Sequence, residues 1–556
     1  MSERPYTAHV DSFARDRLPP PGQQPEFLFE LPELRFPERL NCATELLDRR
    51  VASGEGDRPC LRTPGGLCWS YADLQQRADR IAHVLVAEMG LVPGNRVLLR
   101  GPNTPMMVAS WFAVIKAGGI AVATMPLLRA RELGQIIEKA EISHALCDRN
   151  LAEELSLARD AHPGLREVRF FGTGEADDPG HDGSGGDFGL EAAMQRHPAA
   201  FDNVDTAPDD TCIIAFTSGT TGRPKGTMHF HRDVMAACAC WPRHVLKAAA
   251  DDVFIGSPPI AFTFGLGGLV LFPMSMGAST VLLPKAGPNE LLDAIPACGA
   301  TVLFTAPTSY RAMAAEAGAR RIGAPAGGSL RKCVSAGEAL PAATRALWKE
   351  HTGIEIIDGI GATEMLHIFV SHDEAHARPG ATGTVVPGYR ACVMDDDGRP
   401  VPAGVVGRLA VKGPTGCRYL SDERQKNYVK DGWNYTGDAY LVDDDGYFHY
   451  QARTDDMIVS AGYNIAAPEV EDALMLHPAV ADCAVIGEPD EARGQIVKAF
   501  VVPAVGHEAG DALVAELQDF VRKTIAPYKY PRAIEFRASL PRTATGKLQR
   551  FRLREG

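Results

Sequence analysis

The sequence contains no Cys-x-x-Cys pair: its 12 cysteines are scattered from Cys42 to Cys483, and only Cys238 and Cys240 are close neighbours. This spacing argues against both a disulfide framework and a zinc cage. Positive charge is not in excess either. The 57 Lys and Arg residues stand against 70 Asp and Glu, a net charge of −13, so nucleic acid is disfavoured as a partner, although a small anionic ligand can still find a locally basic site. The opening stretch MSERPYTAHVDSFARDRLPPPG has charges throughout and no apolar h-region, so it is not read as a secretory signal and the chain is expected to be cytoplasmic. No repeat of about 20–50 residues is visible, which argues against solenoids and propellers. One segment, 255–284, lacks charge altogether and is long enough to span a bilayer. Pro258, Pro259, Pro273, Pro284 and several glycines interrupt it, so buried strands and turns are expected there and no membrane partner.

What is present is enough for several domain-sized units: 556 residues, 45% apolar and 23% charged, with a mean hydropathy of −0.11. After a Pro-rich lead-in ending near Pro25, Ser70 reads as a helix N-cap followed by Leu74, Ala78, Ile81, Ala82 and Leu85 at helical spacing, with Gly90 as the stop. Residues 96–100 then read as a strand, 106–117 as a helix closed by Gly118 and Gly119, and 120–124 as a strand. Strands alternating with helices predict parallel α/β sheets covered on both faces. Residues 173–189 read as a surface linker. Beyond Tyr450, residues 470–476 look helical while 483–486 and 498–502 look extended, and the remainder is strongly basic; together these predict a small α+β domain of about a hundred residues.

The strongest chemical signal is Thr217-Ser-Gly-Thr-Thr-Gly-Arg-Pro-Lys-Gly226, which follows the apolar run 212–216. A strand entering a Gly, Ser and Thr loop offers backbone N–H groups and hydroxyls to phosphate oxygens, and Lys225 adds a positive charge. It is not a Walker A loop, because Lys225 is followed by Gly226 and no Ser or Thr is in place to hold magnesium.

This segment resembles the phosphate-binding signature of the adenylate-forming superfamily of acyl-CoA synthetases, luciferases and peptide-synthetase adenylation domains. Further segments resemble the family's other motifs, in order: Asp358-Gly-Ile-Gly-Ala-Thr-Glu364 for adenine and magnesium, Tyr435-Thr-Gly-Asp438 for ribose, Arg453-Thr-Asp-Asp456 for the hinge and Pro541-Arg-Thr-Ala-Thr-Gly-Lys547 for the catalytic lysine. The resemblance runs from about Asn41 onward. It implies an α/β fold with a large N-terminal domain (1–452) of mixed and parallel sheets with a small β-barrel-like subdomain, a hinge at 453–455 centred on Asp455, and a small mobile α+β domain (456–556).

The resemblance also implies ATP, Mg2+ and coenzyme A. The nucleotide falls to Thr217, Ser218, Gly219, Thr220, Thr221, Gly222, Lys225, Gly337, Glu338, Asp358, Gly359, Ile360, Asp438 and Arg453, with Gly462 where the pantetheine arm passes. Thr363, Glu364 and Lys547 take the catalytic roles. The residue types suit these roles. Glu364 is a hard oxygen ligand for magnesium, Asp438 an acceptor for vicinal hydroxyls, and Lys547 a flexible cation where a carboxylate must meet an α-phosphate. The implied reaction is carboxylate attack on ATP, release of pyrophosphate, and displacement of AMP by a thiol.

Phe262, Ala336, Gly361 and His367 flank the motifs that line the acyl pocket in relatives, and the phrases DGIGATEMLHIF and SPPIAFTFGLGGLVLFP most resemble benzoate-type and 2-aminobenzoate-CoA ligases. A flat aromatic acid needs a narrow slot of aromatic and small residues with a polar group for a ring substituent, and His367 is the residue suited to an ortho amino or hydroxyl group. Two positions depart from common patterns: Ile360 replaces a stacking Tyr, and Asn464 replaces an Arg. His229 and His231 form an H-x-H with no third ligand nearby in sequence and are read as structural. Alternative readings are a medium-chain acyl-CoA ligase, an enzyme loading an aryl acid onto a carrier-protein pantetheine, and a non-catalytic nucleotide-binding relative; the last predicts decay at Lys547, Glu364 or Asp438, and all three are present. A monomer or homodimer is expected.

Overall fold

The computed structural model describes residues 6–172, 189–217, 224–453, 457–460, 463–490, 493–525, 527–542 and 548–554. Local signals placed the first elements. Ser70 caps the helix Tyr71–His83 by accepting from the Asp73 N–H, and Asp73 returns the bond to the Ser70 N–H, a reciprocal capping box. Thr104 caps Pro105–Lys116 by accepting from the Met107 N–H, with Pro105 at the first helical position, where it is best tolerated.

Five parallel strands, Arg96–Arg100, Ile120–Thr124, His144–Asp148, Glu167–Phe171 and Thr211–Thr217, form a six-stranded sheet with Lys225–Phe230 antiparallel at its edge. A nine-stranded sheet has Pro59–Arg62, Ser279–Val281, Val253–Gly256, Val302–Thr305, Lys332–Ser335 and Ile356–Gly361 running parallel, with antiparallel strands at both ends. The largest apolar core lies between these sheets, around the helices Tyr71–His83 and Pro105–Lys116. Both faces of the parallel strands are therefore covered, which explains why Arg96–Arg100 is buried along its whole length.

The small β subdomain is a five-stranded antiparallel sheet from Arg390–Met394 to Phe448–Arg453; its ladder is that of an open sheet. A separate sheet, Met457–Ser460, Tyr463–Ala466, Val480–Asp490, Gly494–Pro503 and Ala533–Phe536, carries the helices Ala467–Met475 and Asp511–Thr524 and has its own core. Its helix Ala467–Met475 packs on Ala342–Thr352 of the larger unit.

The charge-free segment differs from expectation. Between the strands Val253–Gly256 and Ser279–Val281 it is helical from Thr263 to Met276, with a widened π turn at Gly267–Leu271 directly before Pro273. Proline has no N–H to give, and the wider turn accommodates that loss without ending the helix. Among the described residues no helix is long and apolar enough to cross a membrane.

The segment before residue 40 is stitched across the body. Asp11 pairs with the buried Arg96 of the six-stranded sheet, while the N–H groups of Glu26 and Leu28 donate to the carbonyls of Gly432 (2.9 Å) and Gly413 (3.0 Å) in the β subdomain.

Candidate active site

The strands Thr211–Thr217 and Lys225–Phe230 pair as a hairpin with Thr217 opposite Lys225, so the phosphate-loop sequence is the connection between them. Ser218, Gly219, Thr220, Thr221 and Gly222 lie outside the described residues, as do Asp455, Gly462 and Lys547. Thr217 and Lys225 are half-buried at the hairpin's mouth.

A second hairpin faces the first. Ile356–Gly361 pairs antiparallel with Ile368–Ser371 through a bulge between Ile360 and Gly361, and the connection contains the short turn Thr363–Met365. Leu366 leaves that turn at φ +69°, a left-handed conformation costing a non-glycine residue about 1–3 kcal/mol. This reversal lets residues three apart serve two places. Glu364 meets Lys225 and Tyr419, whereas His367 meets Trp241 and Phe272.

Tyr419 joins the two hairpins and is a residue the sequence motifs do not single out. Its buried hydroxyl donates to Glu364 Oε1 and accepts from Lys225 Nζ at 3.1 Å; Lys225 Nζ is itself 3.8 Å from Glu364 Oε1. Burial, then the Glu364 charge, drive the Tyr419 hydroxyl far above its usual range, so it remains a donor. The group suits a magnesium phosphate complex: one oriented hard carboxylate oxygen, beside a cation for phosphate oxygens, matches the few protein ligands this ion takes. Tyr419→Phe is expected to cut acid-dependent ATP–pyrophosphate exchange about 10- to 100-fold and to raise the Mg2+ concentration needed for half-maximal rate, because it removes a hydrogen bond to a charged group. An unchanged magnesium dependence would disconnect Tyr419 from Glu364.

Asp438, within Trp433–Val442, accepts from Arg453 Nη1 at 2.9 Å; the same nitrogen donates to the Thr436 carbonyl at 3.0 Å. One carboxylate oxygen is thereby fixed, and Oδ2 takes no part in this pair. A Cβ on Gly437, at φ +78°, would lie 2.7 Å from Arg453 Nη2, so the bulge at this point of the strand requires glycine.

Asp358 is buried, with its N–H donated to His372 Nε2 and its carbonyl receiving the Ser371 hydroxyl. Burial pushes its carboxyl up to about 7, against the smaller opposing effects of the Gly359 N–H and Arg345. The folded chain therefore keeps this proton after an unfolded chain has lost it, and stability falls as pH rises from about 4 to about 7, then levels. Asp358→Asn is expected to remove that fall, stabilising the protein at about pH 8 by on the order of 2–4 kcal/mol and leaving about pH 4 unaffected. Urea unfolding at both pH values checks it; equal shifts at both would refute a buried carboxyl with a raised pKa.

A set of aromatic rings surrounds His367. The imidazole lies edge-on to Phe272 (centroids 4.4 Å) and tilted against Phe264 (5.7 Å) and Trp241 (5.8 Å). Gly267 admits it: a Cβ there would lie 2.3 Å from His367 Cδ2. Among the described residues neither ring nitrogen of His367 has a hydrogen-bond partner, nor does Trp241 Nε1, although all three are buried; the Phe264 carbonyl approaches the imidazole without reaching hydrogen-bond geometry. Burial holds the imidazole down to about 3, so it is neutral and offers one donor and one lone pair. Phe262 is half-buried at the cap of the helix beginning at Thr263, and Phe264, rather than Phe262, makes the described ring contact to His367. Ala336 is buried; Gly337, at φ +92°, and half-buried Glu338 follow it beyond the strand Lys332–Ser335.

Behind the hairpins lies a fully buried ion pair. Arg418 Nη1 donates to Asp233 Oδ2 at 2.7 Å with both side chains fully enclosed. His229 Nδ1 is 3.8 Å from the same carboxylate, and its Nε2 donates to the Thr363 carbonyl at 2.8 Å. His229 is thus structural as expected, and it holds the Thr363–Met365 turn from behind. His231 does have sulfur neighbours the sequence spacing hid: its ligand nitrogen and the thiols of Cys42 and Cys212 all lie within 4.8 Å. Its Nδ1 lone pair already accepts the Cys42 N–H at 3.2 Å, so the cluster packs as core.

The AMP-binding enzyme family model matches residues 48–419, and the model of the AMP-binding enzyme C-terminal domain matches 469–547. A benzoate–CoA ligase of Thauera aromatica is 34% identical, with 94% of this chain and 97% of that protein covered. A 4-hydroxybenzoate–CoA/benzoate–CoA ligase of Rhodopseudomonas palustris is 33% identical over 93% and 94%. Among solved structures, an anthranilate CoA ligase, AuaEII, in complex with anthranoyl-AMP superposes with a TM-score of 0.87 at 33% identity, covering 94% of this chain and 98% of that one.

Proposed function

We propose a reaction from one premise: this chain belongs to the AMP-binding enzyme family, among its benzoate-type CoA ligases. The reaction is the ATP-dependent ligation of an aromatic carboxylic acid to coenzyme A, with 2-aminobenzoate or benzoate as the acid. Residues 1–452 bind ATP and the acid, 453–455 hinge, and 456–556 bring Lys547. Thr217 to Gly222 and Lys225 receive the phosphates, Asp438 the ribose hydroxyls, and Glu364 would hold a magnesium ion, whose charge would offset that of the phosphates. Lys547 bridges the acid carboxylate and the α-phosphate. Its charge offsets the repulsion of the two anions as oxygen attacks phosphorus and pyrophosphate leaves. The CoA thiol then attacks the acyl carbon, with Gly462 beside the pantetheine arm, and AMP departs.

The observation that supports an ortho-substituted acid is the neutral His367, whose two buried nitrogens have no partner among the described residues inside an otherwise aromatic wall. An unsatisfied buried polar group costs stability unless a ligand completes it. An amino group on the ring can donate to the imidazole lone pair, whereas an alkyl chain leaves both nitrogens unsatisfied. The deciding assay is AMP release from ATP with benzoate, 2-aminobenzoate, 2-hydroxybenzoate or octanoate, with and without CoA, and identification of the thioester by mass. CoA-dependent turnover favouring 2-aminobenzoate is expected; preference for octanoate would overturn the aryl reading, and pyrophosphate release without a CoA thioester would point to a carrier protein. His367→Leu is expected to lower kcat/KM for 2-aminobenzoate about tenfold more than for benzoate. Equal losses for both acids would leave His367 a packing residue.

A further inference from the structure

We propose that Arg542 is the positioning residue that registers the catalytic-lysine loop against the ATP site, through Glu338, and that it acts in acid activation and not in thioester formation. The proposal rests on the role given to Lys547 above. Arg542 and Leu548 pair antiparallel, and the Gln549 N–H donates to the Pro541 carbonyl at 2.9 Å. These bonds bracket residues 543–547. Lys547 follows Arg542 by five residues in sequence and directly precedes Leu548.

The guanidinium looks two ways. Its Nη2 donates to both carboxylate oxygens of Asp482, at 3.1 and 2.9 Å, and Asp482 belongs to Val480–Asp490 of the same C-terminal sheet. Its Nη1 lies 3.7 Å from Glu338 Oε1, with the side chains 26% and 18% exposed. Glu338 belongs to the other unit, directly after Gly337 on the loop that leaves Lys332–Ser335. Partial enclosure strengthens such a pair beyond an open surface bridge. It also lies where the units already meet, since Ala467–Met475 packs on Ala342–Thr352.

The two contacts respond differently to domain movement. Arg542 and Asp482 travel together, whereas Arg542 and Glu338 stay together only in the arrangement described. Any rotation of the C-terminal unit away from the larger one therefore breaks the second pair and spares the first. The Asp482 contact holds the guanidinium ready, so little side-chain freedom is lost when Glu338 is met.

The two half-reactions separate this role from a structural one. Acid-dependent ATP–pyrophosphate exchange reads activation; thioester yield from supplied aryl-adenylate and CoA reads the second step. Arg542→Ala is expected to lower the exchange kcat about tenfold while thioester formation stays within about twofold, the size of effect a partly enclosed charge pair supports. Glu338→Gln should lose a similar factor in kcat, and the double variant should be no worse than the poorer single one, as expected when both remove one interaction. Equal losses in both half-reactions, or multiplying losses in the double variant, would overturn the proposal. If the wild-type protein activates an acid other than benzoate or 2-aminobenzoate, the substrate reading fails and the same comparison runs with that acid. If it activates none, hydrogen exchange over residues 336–340 of the whole chain decides: faster exchange in Arg542→Ala supports the contact, and unchanged exchange refutes it.

Discussion

Replacing Lys547 by Ala is expected to reduce aryl-adenylate formation by about 10²- to 10³-fold while ATP still binds, because one preorganised charge facing a developing anion contributes effects of that size. A carboxylate approaching an α-phosphate meets like charge, and on the proposed reading Lys225 and a magnesium ion that Glu364 would hold lie at the other end of the triphosphate. The reacting oxygens then depend on a cation delivered from the C-terminal unit. The variant should therefore keep thioester formation from supplied aryl-adenylate, a step in which the thiol attacks the acyl carbon, the acyl C–O bond breaks and no anion has to approach phosphorus. Near-normal pyrophosphate exchange by Lys547→Ala would remove the lysine from the chemistry.

The second large effect is on stability. Burial alone would drive the Asp233 carboxyl upward, but Arg418 and then His229 hold it well below the usual range, so the pair is ionised in the folded protein. Asp233→Asn leaves the Arg418 charge enclosed without its counter-ion and is expected to cost about 3–5 kcal/mol. Denaturant unfolding measures this. Replacing both partners with apolar residues of similar volume should recover most of the loss, because the penalty lies in the stranded charge. A loss below about 1 kcal/mol for Asp233→Asn, the range of an exposed bridge, would show that water reaches Arg418. The depressed carboxyl also gives a sign: its contribution is complete above the unfolded value near 4 and is lost on further acidification.

What could be read from the chain and what could not divide along sequence distance. The strand Arg96–Arg100 and the helix capped by Ser70 are local matters of alternation, period and cap, and they stand where the residues placed them. The family was legible for a related reason: Asp358 to Glu364 and Tyr435 to Asp438 are contiguous, so resemblance survives divergence elsewhere. The segment 255–284 misled because proline and glycine were read as breaks, whereas a π turn absorbs Pro273 inside a helix. Tyr419 was invisible for a different reason. Its partners are 55 and 194 residues away, and no local pattern marks a hydroxyl that will join two hairpins. The same holds for Arg418 with Asp233, 185 residues apart, and for Cys42 with His231, 189 apart.

The stitched segment before residue 40 sets an order of events during synthesis. Its bonds to Gly413 and Gly432 cannot form until roughly 400 residues have followed it out of the ribosome, whereas the Asp11 partner Arg96 is available early. Domains fold from the N-terminus as they are made, and closing so long a loop must follow the contacts that bring its ends together. Phe27 lies against the Arg418 guanidinium, whose carbon is 4.3 Å from the ring centroid. Residues 26–28 are thus placed well after the chain around them has been made, and the enclosed charge beneath the Thr363–Met365 turn is sealed only when they arrive.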